Sequence, residues 1–370
     1  MREIARLQND RDAAGLLKFS NHKSSQVQSR FALACASVQD PIFVPRLAEL
    51  LKSPDAGVRK NVAFALGQIK STAETIRRAI QSEQSEEVKE ILIRSLGKVG
   101  AKEDFIWLIK NLESHQSHGG FGFAVIHFHR LGIDITAGMD FLSEMIRSEM
   151  ETIRCESWYA LSKLKDVDLS VFEQDAISRL QNESNEEIRE AIVASMGNMK
   201  SEKIRDRLFE LLIDPNWRLQ VNALQSLSEH SWDNLKEIHS LLSAINSKNE
   251  HVAMTALKIA GEKAKNEDFK QEILKQVRQI LKNSSTPERV RGQAYVTLAS
   301  LNPDEPFETF KKDWYATGPF FRYQMLDVAS KLNDKSALLM IIDQMGFDDI
   351  AGTRALEIFV EKCLEKIKIE

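Results

Sequence analysis

The chain has 370 residues, 43% of them hydrophobic and 28% charged, with a formal net charge of −4. That balance supports extensive burial under a long polar surface, and it gives no overall attraction to a phosphate backbone, which argues against a nucleic-acid partner. No apolar run approaches the roughly 18 residues of a membrane span, and Cys35, Cys155 and Cys363 lie too far apart for a disulfide framework or a zinc site.

Met1-Arg2-Glu3-Ile4 is amphipathic from its first turn and lacks the layout of a signal peptide. A cytoplasmic location is expected, or export if a signal precedes Met1. A helix-period stretch anchored at Val27 follows, then a shorter one through Phe43 and Leu51. Pro41 and Pro45 open the shorter stretch, where the missing N–H of proline costs little. Asp55 to Ile69 is the clearest unit. With Val58 as its anchor, the pattern also stands at Val27, Val88, Ile153, Ile188, Leu219, Val252, Val290 and Phe321, and more loosely at Ala351. Amphipathic stretches around Phe105-Ile106-Trp107-Leu108-Ile109, Arg207–Leu212 and Glu272–Val277 complete helical hairpins between these anchors. The step from Val88 to Ile153 is twice the usual one, so an irregular unit is expected near Phe121, over residues 112–136.

Two columns test this register. Eight residues past each anchor stand Cys35, Leu66, Leu96, Leu161, Met196, Leu227, Ala260, Leu298, Ala329 and Phe359, all apolar. The next position is small from Ala36, Gly67 and Gly97 through Ser162, Gly197, Ser228, Gly261, Ala299 and Ser330, until Val360 breaks the rule. A small residue there lets a neighbouring backbone approach closely. Directly after the anchor stand Arg59, Lys89, Arg154, Arg189, Arg291 and Arg322, with Asp55, Glu87, Glu187 and Glu288 shortly before. This column predicts an acid–arginine ladder that ties successive repeats together.

The run from Asp55 to Ile69 resembles the short PBS-lyase-type repeat of the HEAT family, D-x-x-V-R-x-x-A-x-x-A-L-G-x-I; Val88–Val99 and Ile188–Met199 follow it. The resemblance implies an all-α, right-handed α-α superhelix, a HEAT-like solenoid of about 11 hairpins running as a single domain over residues 1–370. Asp10-Arg11-Asp12, Ala34–Asp40 and Ala65–Gln68 also resemble bacterial HEAT proteins joined to cyclophilin-like domains. Such relatives are often exported, and no isomerase segment is visible here.

Half of the histidines, His115, His118, His127 and His129, fall in the irregular unit. On a helix, His127 and His129 point about 200° apart and cannot share an ion. His115 and His118 are therefore the metal-ligand candidates, and they centre the alternative reading, an enzyme or ligand-binding module. The His-Glu dipeptides of the family's di-iron hydroxylases are absent, as are phosphate loops and nucleophile elbows. No catalytic residue and no cofactor are expected.

Aromatics mark the surface. Trp314, Tyr315, Phe320, Phe321 and Tyr323 crowd a turn near the C-terminus. Phe64 and Tyr159 stand six past their anchors, a position polar in other repeats (Arg94, Gln225, Lys258, Asp327). By family resemblance, the second (B) helices line the concave side. The expected docking face for a protein or peptide comprises Lys60, Asn61, Phe64, Gln68, Glu90, Arg94, Lys98, Glu156 and Tyr159.

Overall fold

A computed structural model describes the chain apart from residues 71, 113–118, 231–234, 265–266, 303–312, 315–317, 332–334, 347–348 and 368–370. The described residues form helices and connecting turns, with no strand among them, and divide into two units, residues 1–199 and 200–370.

In the first unit the helices are α1 (Arg2–Asn9), α2 (Ala13–Leu17), α3 (Ser25–Val38), α4 (Val44–Leu50), α5 (Ala56–Leu66), α6 (Ala73–Ser82) and α7 (Glu86–Val99). They continue with α8 (Lys102–Asn111), α9 (Phe121–Arg130), α10 (Met139–Met145), α11 (Glu151–Lys163), α12 (Glu173–Asn182) and α13 (Glu186–Ser195). From α3 to α13 each odd-numbered helix lies against the next, and α4, α6, α10 and α12 each pack on the helix that follows. These are hairpins stacked through their second members, the arrangement of an α-solenoid.

The second unit repeats it. Its helices are α14 (Glu202–Glu210), α15 (Trp217–Leu227), α16 (Leu235–Ile245), α17 (Glu250–Lys263), α18 (Glu267–Lys282), α19 (Glu288–Leu301), α20 (Pro319–Lys331), α21 (Lys335–Gln344) and α22 (Ile350–Ile367). Here α15, α17, α19, α20 and α22 stack in sequence.

Side-chain caps start several of the B helices. The Asp55 carboxylate accepts N–H bonds from Gly57 and Val58 at 2.8 and 3.2 Å, and Asn185, Asn216, Asn249 and Asp349 accept equivalent bonds. Such caps satisfy orphan amides and are worth about 1 kcal/mol each. Burial of the anchor and its apolar partners does the rest: Val58, Val62, Leu66, Leu92 and Leu96 are fully buried, each contributing about 1.5–3 kcal/mol.

Stacking explains the small column. A Cβ on Gly67 would come within 2.9 Å of Ser95 Cα, and one on Gly97 within 2.5 Å of Ala124 Cα. The B helices therefore touch backbone to backbone. A buried hydroxyl also crosses this seam: Ser95 Oγ donates to Ala63 O at 2.9 Å, and Thr297 Oγ1 donates to Leu257 O at 2.9 Å in the second unit.

The basic column does tie repeats together, but mostly not through the acids just ahead of it. Arg59 donates to both carboxylate oxygens of Glu83 at 2.9 Å and to Ser53 O at 2.9 Å. Arg154 repeats the clamp on Glu183, Ser148 O and Glu149 O. Arg291 and Arg322 pair with Asp313 and Asp349. Each of these four arginines reaches an acid of the next repeat, whereas Lys89 and Arg189 pair three residues back with Glu86 and Glu186. An arginine side chain is long enough to leave its own helix and bridge the seam, which a near-neighbour sequence reading does not anticipate.

Near the C-terminus, Trp314 and Phe321 are buried and Tyr323 is exposed. Tyr315 lies outside the described residues.

Candidate functional site

The irregular unit starts late. Helices α5 and α7 begin two residues before their anchors, but α9 begins only at Phe121, behind Gly119 and Gly120. Gly120 has φ +91°, and a Cβ there would run into the carbonyl oxygen of Glu90, with the carbonyl carbon at 3.1 Å. Only glycine fits this left-handed conformation at such a distance. The first amides of α9 have no acceptor within the helix, and the next repeat supplies one. Glu156, on α11, is buried and accepts from Gly120 N–H at 2.9 Å and Phe123 N–H at 3.4 Å. Aromatic packing secures the other side, with Phe105 of α8 against Phe121 and Phe128, and Phe121 against Phe141 at 4.3 Å between centroids.

The Gly97–Ala124 contact, set beside Gly67–Ser95, fixes the register of α9: Ala124 occupies the place of Ser95. Phe123 therefore joins the column of Phe64, Arg94 and Tyr159, and Leu33 begins it on α3. His127 joins Gln68, Lys98 and Lys163 in the column four residues further on. Sequence reasoning missed Leu33, Phe123, His127 and Lys163. The small and apolar positions Ala124 and Val125 hinted at the register, but Ser117 stands where an apolar anchor belongs.

These columns form a band of aromatic rings and cations across α5, α7, α9 and α11. Phe64 and Tyr159 are 42% and 40% exposed. Lys98 Nζ lies 5.3 Å from the Phe64 centroid, the Arg94 guanidinium 4.1 Å from that of Phe123, and Lys163 Nζ 4.8 Å from that of Tyr159. Phe123 and Tyr159 meet at 5.7 Å between centroids. Cations over ring faces are held by the ring quadrupole, worth about 0.5–1 kcal/mol where exposed.

The remaining expected residues divide by role. Lys60 pairs with Glu87 across α5 and α7. Asn61 and Gln68 are half-buried, and the Gln68 side-chain nitrogen has no hydrogen-bond partner among the described residues. Glu90 pairs with Arg94 and backs Gly119 and Gly120. Arg94 also donates to Glu156 at 3.1 Å. Glu156 departs from the sequence expectation: it is buried under the band rather than open on it, because its carboxylate accepts the first amides of α9. Burial holds that carboxyl above the ordinary glutamate value, outweighing the Gly120 amide and Arg94.

His115 and His118 lie outside the described residues. His127 is half-buried, and burial, with the charges of Lys98 and Arg130, holds its pKa below the ordinary histidine value. His129 faces elsewhere, its Nε2 3.0 Å from Lys165 O. No cluster of three metal-ligating side chains occurs among the described residues, and no helix among them is long and apolar enough to cross a membrane.

Stacked hairpins with a regular seam and an open B-helix face define a helical-repeat protein. Residues 13–97 match the family model for HEAT repeats. Among solved structures it is similar to an engineered protein, with 17% identity, 97% of this chain and 99% of that chain covered, and a TM-score of 0.41. It is also similar to a homology model of the full-length AP-3 complex in an intermediate open conformation, with 14% identity, coverage of 98% and 69%, and a TM-score of 0.48. No curated protein matches the chain.

Proposed function

We propose that the chain is a non-enzymatic scaffold that holds a protein or peptide along the B-helix face of its first unit. The observation that carries this reading is the band of Phe64, Phe123 and Tyr159 with cations on their faces, in a column where Gln225 and Lys258 stand in the second unit. Half-exposed rings held by cations are rigid and amphipathic, the properties of side chains that dominate interface energies. Lys60, Asn61, Gln68 and Glu90 border the band, and Glu156 positions it from beneath.

Site-specific photocrosslinking tests the reading. A crosslinker at position 64 or 159, in the cell from which the protein comes, is expected to trap a discrete partner. One at exposed Arg78 of α6 is expected to trap none. Equal labelling from all three positions, or trapping from Arg78 alone, refutes the assignment.

A further inference from the structure

Most cations near the band already have counter-charges. Lys60 is neutralised by Glu87, and Arg94 by Glu90 and Glu156. Lys98 and Lys163 differ: each rests on an aromatic face and has no carboxylate partner among the described residues. They share one column with His127 between them, and from Gln68 through Lys98, His127 and Lys163 to Asn198 that column holds no acid.

Lysines near helix C-termini also offset the helix dipole, but that effect does not account for this row. At the same register position the second unit carries Glu229 and Glu262, both exposed, followed by Ser300 and Lys331. Glu262 stands in the last turn of α17, where an acid is unfavourable. The dipole acts equally in both units, so the acid-free row belongs to the first unit's own surface. Burial and the nearby Arg94 charge hold Lys98 below the ordinary lysine value, as befits a cation short of an anion.

We propose that the face takes an extended acidic segment of a partner protein, whose carboxylates pair with Lys98 and Lys163 while an apolar side chain lies on the exposed rings. This rests on the docking-face reading above. Two helix-to-helix steps of about 8–10 Å separate α7 from α11, and an extended chain advances about 3.3 Å per residue, so the two acids stand about five or six residues apart. Neutral His127, midway, has a ring N–H to donate to the segment's backbone. A nucleic acid fits less well. Its charges are continuous and uniformly negative, whereas α7, α11 and α13 begin with Glu86, Glu87, Glu151, Glu186 and Glu187.

A random peptide library displayed on phage and selected against the full chain tests this. The expected binders carry two acids at the stated spacing beside an aliphatic or aromatic residue, and lose affinity as salt rises. Lys98→Gln with Lys163→Gln should weaken them about tenfold, with the circular dichroism melt unchanged. Phe64→Ala with Tyr159→Ala should weaken them as well. Binders that depend on Phe64 and Tyr159 but carry no acids, or ignore the lysine changes, overturn the acidic partner and leave the docking face standing. Acidic binders insensitive to both pairs overturn both readings. Recovery of no binder, or displacement by a single-stranded oligonucleotide at lower concentration than by acidic peptide, also overturns the proposal.

Discussion

Gly120→Ala tests the feature that sets the irregular repeat apart. At φ +91° a side chain costs about 1–2 kcal/mol. The added Cβ would also meet the Glu90 carbonyl, a backbone group inside a helix that cannot swing aside; overpacking of this kind costs about 1–3 kcal/mol. Reduced freedom of the unfolded chain returns about 0.4–1 kcal/mol. The net expectation is a loss of about 1–4.5 kcal/mol, centred near 3 and located at α9. Gly132→Ala is the control, since Gly132 has φ +75° but nothing within 4 Å of a new Cβ; it should lose no more than about 1 kcal/mol. Repeat arrays need not unfold in one step, so urea melts should be paired with hydrogen exchange across residues 119–130. If the two variants melt together, or exchange in α9 does not quicken in Gly120→Ala alone, the close approach of Gly120 to α7 is wrong.

Glu156→Gln keeps one acceptor oxygen but removes the buried charge facing Arg94. It should free Phe123 and lower protection of the Gly120 and Phe123 amides, read by exchange, while leaving the second unit's amides unchanged. Arg154→Met leaves the Glu183 carboxylate, whose side chain is 2% exposed, with only Arg179 at 4.0 Å and the Asn185 amide, and should cost about 1–3 kcal/mol in denaturant titrations; Met with no measurable loss would show that the clamp contributes little. The pH dependence has two opposite parts. Burial alone would raise the carboxyls of Glu83 and Glu183, but Arg59 and Arg154, with backbone amides, outweigh it and hold them below the ordinary value of 4.5. Their contribution is present above that value and lost as pH falls through the folded pKa. Glu156 is raised, so its contribution is full below 4.5 and lost as pH rises through its folded pKa. Glu83→Gln with Glu183→Gln should therefore flatten the acid limb of a stability–pH profile, and Glu156→Gln the opposite slope. The same profile from both variants would refute these environments.

Periodicity by itself determined the class of fold. The anchors, the apolar column and the small column are written in residue types because every B helix must bury one stripe and let its neighbour's backbone approach. Asp55, Asn185 and Asn249 announce their helices for the same local reason, since a cap needs only the next three residues. The exposed column of Phe64, Arg94 and Tyr159 was legible too, because its position relative to the anchor decides which way it faces. What tertiary structure decided are the pairings that cross the seam. Arg59 reaches Glu83 rather than a nearer acid because the two turns lie side by side only once the hairpins stack. Glu156 looked like one more polar residue on the open face. It is buried because the start of α9 takes its acceptor from α11, a dependence no local window contains. Phe123 and His127 entered the band only when the contact of Gly97 with Ala124 set the register of the irregular repeat, whose anchor position holds a serine and so carries no apolar signal.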